Sequence, residues 1–322
     1  MRVSKWLTAA VASVACLGLS ACGVSGGPTE DSGSGTTVRV AGNSNATMLP
    51  LWVAMEKGMF ADQGITVSLK TIENIATLVP ALGKSFDIVL STPTLVIASN
   101  AQGIPVQWVS GSSVDSVQRT SGELLAMGSS GIDDVTDLQG KSIGVLNESG
   151  TLHSATAYWL KQEGVDLESV EIIQVDGPAQ ADQLKSGRID AVESVTPFTG
   201  QIKAAGGKSL GVPYRSLANT IAPIMFAAKT PWAQQNSETV EKFQQVLEQG
   251  AEYIASHEQE ARDILQEKTG YPDAVVQSIV FPQYDTSVRT QDLQTWYKAM
   301  HEVTGFTTDL KVDKLAFQGG EQ

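Results

Sequence analysis

The hydrophobic positions begin as one continuous run and then break into short apolar blocks alternating with helix-length amphipathic stretches. The run, Trp6 to Ala21, is 16 residues broken only by Thr8, Ser13 and Ser20, short of the about 20 that a spanning helix needs. From Val38 the blocks predict a strand (VRVA), a polar loop from Gly42 to Thr47, and a helix from about Leu49 to Lys57, with Pro50 near its start and Gly58 as C-cap. A strand from Thr66 (TVSLKT), a helix ending near Gly83 and a strand from Asp87 to Ser91 follow. The same β-α-β-α-β order recurs from Ser142: strand SIGVL, loop Asn147 to Gly150, helix Thr151 to Glu163 stopped by Gly164, strand VEIIQV, a helix ending near Ser186, and strand AVESV. Asp87-Ile88-Val89 precedes Asp190-Ala191-Val192 by 103 residues and Val38 precedes Ser142 by 104, so the two units keep nearly constant register. After about Arg215 the pattern changes to one strand (PIMFAA) and then mostly helix. Ser237 to His257 sets Val240, Phe243, Leu247 and Ile254 on one stripe, and Leu293 to His301 is similar.

Strands alternating with helices of this length imply right-handed crossovers and parallel pairing. The expected fold class is therefore α/β: two similar lobes with mainly parallel sheets flanked by helices, joined by a hinge. In such sheets ligands bind beyond the carboxyl ends of the strands. Those ends are small and hydroxyl-rich, and they nominate Asn43, Ser44, Asn45 and Thr47, then Thr92 and Thr94, Ser110 and Gly111, Ser149, Gly150 and Thr151, and Thr196 and Phe198 as ligand-binding residues. Loops of this kind open helices whose first N–H groups lack partners and can hold a ligand's oxygens. The competing reading is that each hydroxyl merely caps its helix. Trp52 is a candidate to stack on a planar ligand, as is Trp108, although both stand where core residues are needed. Glu193 is an acid inside an apolar strand; it either accepts a hydrogen bond from a ligand N–H or is a buried, paired structural acid. His153, in the first turn of its helix, either touches the ligand or faces solvent.

Composition narrows the chemistry. The net charge is −13, and without the two cations of the first 21 residues, Arg2 and Lys5, it is −15. A nucleic-acid partner is therefore not expected, because phosphate neutralisation needs an excess of Lys and Arg. The two cysteines, Cys16 and Cys22, both lie in the first 22 residues, so the body has no disulfide, Cys nucleophile or Cys-held metal. The three histidines, His153, His257 and His301, have no metal-ligand spacing, so neither metal nor cofactor is expected. Gly83-Lys84-Ser85 and Gly140-Lys141-Ser142 imitate the end of a phosphate loop, but Leu78 and Val135 stand where its first Gly belongs. Gly23-Val24-Ser25-Gly26-Gly27 imitates a hydrolase elbow without the flanking strand and helix.

Arg2 and Lys5 before the apolar run form a secretory signal, and Leu19-Ser20-Ala21-Cys22 resembles the bacterial lipobox. That resemblance implies a lipoprotein signal peptide at 1–21 and acylation of Cys22, placing the protein on the extracytoplasmic face of a bacterial membrane by a lipid anchor. Residues 22–37, rich in Gly, Ser and Thr, then form a flexible tether with a reach of about 20 Å.

Three stretches resemble one family. They are Pro50 to Val67 with its glycines at 58 and 64, Asp137-Leu-Gln-Gly140-Lys141-Ser-Ile-Gly144-Val145, and Leu184-Lys-Ser-Gly187-Arg-Ile-Asp190-Ala191-Val192. They are similar to the substrate-binding proteins of ATP-driven (ABC) importers that serve nitrate, sulfonates, taurine and thiamine-pyrimidine precursors. The resemblance implies a type II periplasmic binding protein fold, with lobe one at 38–127 plus 217–322 and lobe two at 128–216. It also implies a monomer that closes on a small-molecule ligand and delivers it to the transmembrane subunits of an ABC permease, without enzymatic activity. Family members often carry Trp-Glu-Pro where this chain has Val195-Thr196-Pro197, so an aromatic wall and an acid are missing there. An enzyme on the same fold acting on a small heteroaromatic, or a sensory or adhesive lipoprotein without a transport ligand, are the alternatives.

Overall fold

Val38 and Val40 are buried on either side of half-exposed Arg39, and this alternation builds β1 (Thr36–Gly42) in the computed structural model, which describes residues 35–319. One 3-10 turn leads to α1 (Leu49–Glu56), which holds Pro50 in its first turn, where a missing N–H costs nothing. Gly58, at a φ of 72° that favours glycine, ends it and opens α2 (Met59–Asp62). β2 (Ile65–Thr71), β3 (Ile88–Ser91), α3 (Pro93–Ala101) and β4 (Val106–Ser116) follow. The helix expected to end near Gly83 is absent. The chain there makes two 3-10 turns, 75–77 and 79–81, because Asn74 caps the first and Pro80 removes an N–H that a longer helix would need.

The second unit comprises β5 (Gly122–Met127), β6 (Ser142–Val145), α4 (Thr151–Gln162), β7 (Glu171–Gln174), α5 (Gly177–Lys185), β8 (Ala191–Val195), α6 (Phe198–Ala204) and β9 (Gly207–Gly211). The chain then returns through β10 (Thr220–Lys229) and α7 (Thr230–Gln235) to α8 (Ser237–Ser256), α9 (Glu258–Thr269), α10 (Asp273–Ser278), β11 (Gln283–Tyr284) and α11 (Thr290–Thr304).

Two sheets result, ordered β11-β4-β10-β3-β1-β2 and β7-β6-β8-β5-β9. Each contains the same parallel trio, β2-β1-β3 and β7-β6-β8, extended by antiparallel strands, so the sheets are mixed rather than mainly parallel. Four of these strands flank the passages between sheets, β4 and β5 the outward one and β9 and β10 the return, while β11 adds an edge to β4. The outward passage is 117–121 and the return 212–219. Residues 122–127, expected in the first lobe, form β5 of the second sheet, hydrogen-bonded to β8 and β9.

The two trios are held by equivalent carboxylates. Asp87 accepts from the Arg39 backbone N–H at 2.9 Å, and Asp190 accepts from the Ser142 N–H at 2.9 Å, each across 48 residues. The Asp-Ile-Val and Asp-Ala-Val repeats are thus strand staples. The first sheet buries one cluster around Trp52, Phe60, Phe226 and Phe243 and another around Trp108 and Trp296. Trp52 is 3% exposed and Trp108 fully buried, so both are core residues and neither offers a face to a ligand.

Candidate ligand site at the strand ends

Strand register brings hydroxyl and amide side chains together at one end of the first sheet. Ser91, the last residue of β3, lies opposite Met225 of β10, whose neighbour Ile224 lies opposite Ser113 of β4. Asn43 follows β1, beside β3. Ser112 donates to the Thr47 carbonyl at 2.8 Å, which draws the turn after β1 onto β4. In this region Asn43 Oδ1, Thr47 Oγ1, Ser91 Oγ and Ser113 Oγ are buried without a hydrogen-bond partner. Buried polar atoms are satisfied in the great majority of cases, which makes these four oxygens candidates to accept from or donate to a polar guest.

The second lobe meets this region through the loop before α4. Thr92 caps α3 at the Leu95 N–H and shares a 3.0 Å hydrogen bond with Thr94, whose hydroxyl donates to the Ser149 carbonyl at 3.4 Å. Asn147 folds the loop by accepting from the Ser149 N–H and hydroxyl. Thr151 donates to the Pro223 carbonyl of β10 at 3.0 Å.

A family model, NMT1/THI5 like, matches residues 45–261, more than half of the chain. The chain belongs to the NMT1/THI5-like family. A search of curated protein sequences finds no match. Among solved structures, the fold is similar to the periplasmic aliphatic sulphonate binding protein SsuA from Escherichia coli (TM-score 0.76, 15% identity, covering 90% of this chain and 94% of that one). It is also similar to the alkanesulfonate-binding protein SsuA from Xanthomonas axonopodis bound to MOPS (0.73, 14%, 88% and 98%). A third likeness is the nitrate-binding protein NrtA from Synechocystis PCC 6803 (0.72, 14%, 87% and 85%). At such identities these likenesses carry the fold, a periplasmic binding protein fold.

In this NMT1/THI5-like chain the nominated residues divide into several groups. Thr92, Thr94 and Ser149 are joined by hydrogen bonds, and Thr151, the first residue of α4 after Gly150, reaches the Pro223 carbonyl of β10, while Asn43 and Thr47 lie in the turn after β1. Asn45 instead caps the turn after β1 by accepting from the Thr47 N–H. Ser44 donates to Glu73 at 2.5 Å. Ser110 and Gly111 do not form a loop at all: they lie within β4 and are covered by the segment after β11, to which the Gly111 N–H donates at 2.9 Å. A Cβ on Gly111 would stand 2.1 Å from the Asp285 carbonyl oxygen, so that glycine serves close packing of backbone on backbone. Thr196 forms a cis peptide with Pro197, and Phe198 packs its ring on Gly177 at the start of α5.

Glu193 is 1% exposed and bonded by His153 Nδ1 at 2.9 Å, which makes it a paired acid rather than a free acceptor at the strand ends. Burial opposes charge on His153, but its bond to Glu193 and the negative charges of Glu193 and Glu148 outweigh that and raise its pKa above the ordinary value. Ser91 and Ser113 lie in stretches the sequence marked, yet only strand register distinguishes them from neighbouring hydroxyls. Among the described residues, no group of three His, Cys, Asp or Glu side chains is placed to hold a metal ion. No described helix is long and apolar enough to cross a membrane.

Proposed function

We propose that the protein is the extracytoplasmic solute-binding component of an ABC importer. It captures a small organic or oxyanion ligand between its two lobes and delivers it to a permease, acting as a monomer without catalysing a reaction. The observation that carries this reading is the group of four unpartnered buried oxygens, Asn43 Oδ1, Thr47 Oγ1, Ser91 Oγ and Ser113 Oγ, beside the loop of the second lobe that Thr94 touches. The ligand class is a sulfonate, taurine, a nitrate-like anion, or a small aromatic or pyrimidine. Hydroxyls and the N–H groups that open α3 and α4 would hold its polar atoms. The solved structures of similar fold include proteins named for binding sulfonates and nitrate, which supports the oxyanion members of that set. Acyl chains on Cys22, which lies outside the described residues, would keep the protein at the membrane beside its permease.

Calorimetric titration with nitrate, methanesulfonate, taurine, benzoate and a pyrimidine tests the proposal. One class should bind, and Ser91→Ala should weaken it by roughly tenfold or more, the worth of a hydrogen bond to a charged oxygen. The melting temperature should barely change, because Ser91 Oγ has no protein partner to lose. Silence across the panel, or conversion of a bound compound to product, would overturn the reading.

A further inference from the structure

A cavity of about 150 Å³ lies beneath α4, on the side of the second sheet away from α5 and α6. Its walls are apolar: Ile143 of β6, Ile172 of β7, Ala157 and Leu160 of α4, Leu167 and Val170 of the connection between α4 and β7, and Val303 of α11. The polar part of the lining is the His153–Glu193 pair together with Thr156, whose hydroxyl already donates to the Leu152 carbonyl.

We infer that this cavity is a second small-molecule site, separate from the strand-end loops, for a compact uncharged molecule with a benzene-sized apolar body and one hydroxyl. The size follows from the volume, since an apolar cavity of about 150 Å³ accommodates benzene. The absence of net charge follows from the pair. His153 and Glu193 compensate each other, so a further ion in an apolar cavity would have no counter-ion to offset its desolvation. The hydroxyl follows from the same lining. His153 Nδ1 is committed to Glu193, which leaves Nε2 as the ring nitrogen open to a second partner, and Thr156 Oγ1 has lone pairs to accept with.

The site also joins the lobes. α4 belongs to the second lobe, whereas α11 packs on the first sheet beside α3 and contributes Val303. Next to the cavity, Gln162 donates to Glu302 at 3.0 Å and Lys161 donates to the Glu302 carbonyl, fixing α4 against α11. An occupant therefore rests on both lobes and favours the arrangement in which they touch.

Nuclear magnetic resonance titration of the isotopically labelled full chain with phenol and with benzene, at millimolar concentration, tests the inference. Both should shift the signals of Ala157, Leu160, Val170 and Val303, and phenol should bind about threefold to tenfold more tightly than benzene, the worth of one hydrogen bond. Ala157→Leu fills the cavity from α4 and Val303→Trp fills it from α11; each should abolish those shifts, and the second keeps the test intact if the first misfolds. Shifts centred on Ser91, Thr92, Thr94 and Ser149 would assign the probes to the strand-end site and overturn this second one. Absence of binding by either probe would overturn it too, while leaving the strand-end proposal, tested through Ser91, standing.

Discussion

At the scale of single residues, buried charges carry the consequences that can be tested most directly. Asp115, fully buried near the end of β4, accepts from the Ser121 N–H and hydroxyl at 2.6 and 2.9 Å and pairs with Arg215. Arg215 also donates to the Ala218 and Asn219 carbonyls, so one ion pair ties the outward passage between the sheets to the return. Arg215→Met should cost about 3 kcal/mol in chemical denaturation, because it leaves a buried carboxylate without its cation. A loss below about 1 kcal/mol would mean that the carboxylate is reached by water. His153 makes a pH-dependent contribution. Its raised pKa means that the folded state binds the proton more tightly than the unfolded chain. The resulting stability is fully present below the unfolded value of about 6.5 and is lost as pH rises through the folded value. The stability difference between wild type and His153→Gln should therefore be largest in mildly acidic buffer and shrink as the pH rises; a difference that grew with pH would reverse the assignment. Ser44 shows how little of this is legible in advance, since a nominated ligand hydroxyl is taken by Glu73, 29 residues away in the chain.

At the scale of elements, periodicity was a good guide wherever a segment packs on one face. The predicted helices at 49–57, 151–163 and 237–257 correspond to α1, α4 and α8; α4 and α8 bury a stripe of side chains, whereas α1 is buried continuously from Leu49 to Ala54. It failed at 72–83, where the segment is short and Pro80 interrupts it, and at Ser110 to Ser113. There a hydroxyl-rich stretch that reads as a loop runs fully buried through β4, since β10 and β11 satisfy its backbone from both sides. Helix packing supplies a prediction of sign. Gly250 of α8 crosses α1 so closely that a Cβ would stand 2.3 Å from the Pro50 carbonyl oxygen. Gly→Ala on an exposed helix stabilises by up to about 1 kcal/mol. Here the clash should dominate, and Gly250→Ala should destabilise by about 1 to 3 kcal/mol in thermal unfolding. A raised melting temperature would show that α8 can move away from α1 without cost.

At the scale of the whole molecule, attachment and fold rest on different parts of the chain. If Cys22 bears the acyl chains, Cys22→Ser should move the protein from the membrane fraction to the soluble extracytoplasmic fraction, since two or three chains anchor stably and none does not; persistence on the membrane would refute the lipobox reading. The α/β class, the recurrence of one strand order in two units and the family were legible in the sequence, because burial periodicity and turn glycines such as Gly58 are local properties of a chain. The Asp87 and Asp190 repeats signalled the duplication, although their work as staples on β1 and β6 became visible only with strand order. Tertiary structure alone decided that 122–127 joins the second sheet, because the same alternating pattern satisfies either sheet and only the partners available to its backbone choose between them. It alone decided which hydroxyls are spent on caps and which stay unpaired, as with Asn45 against Ser91, and that Glu193 faces His153. A hydrogen bond between residues 40 apart depends on where two elements dock, and no local pattern of polar and apolar positions carries that information.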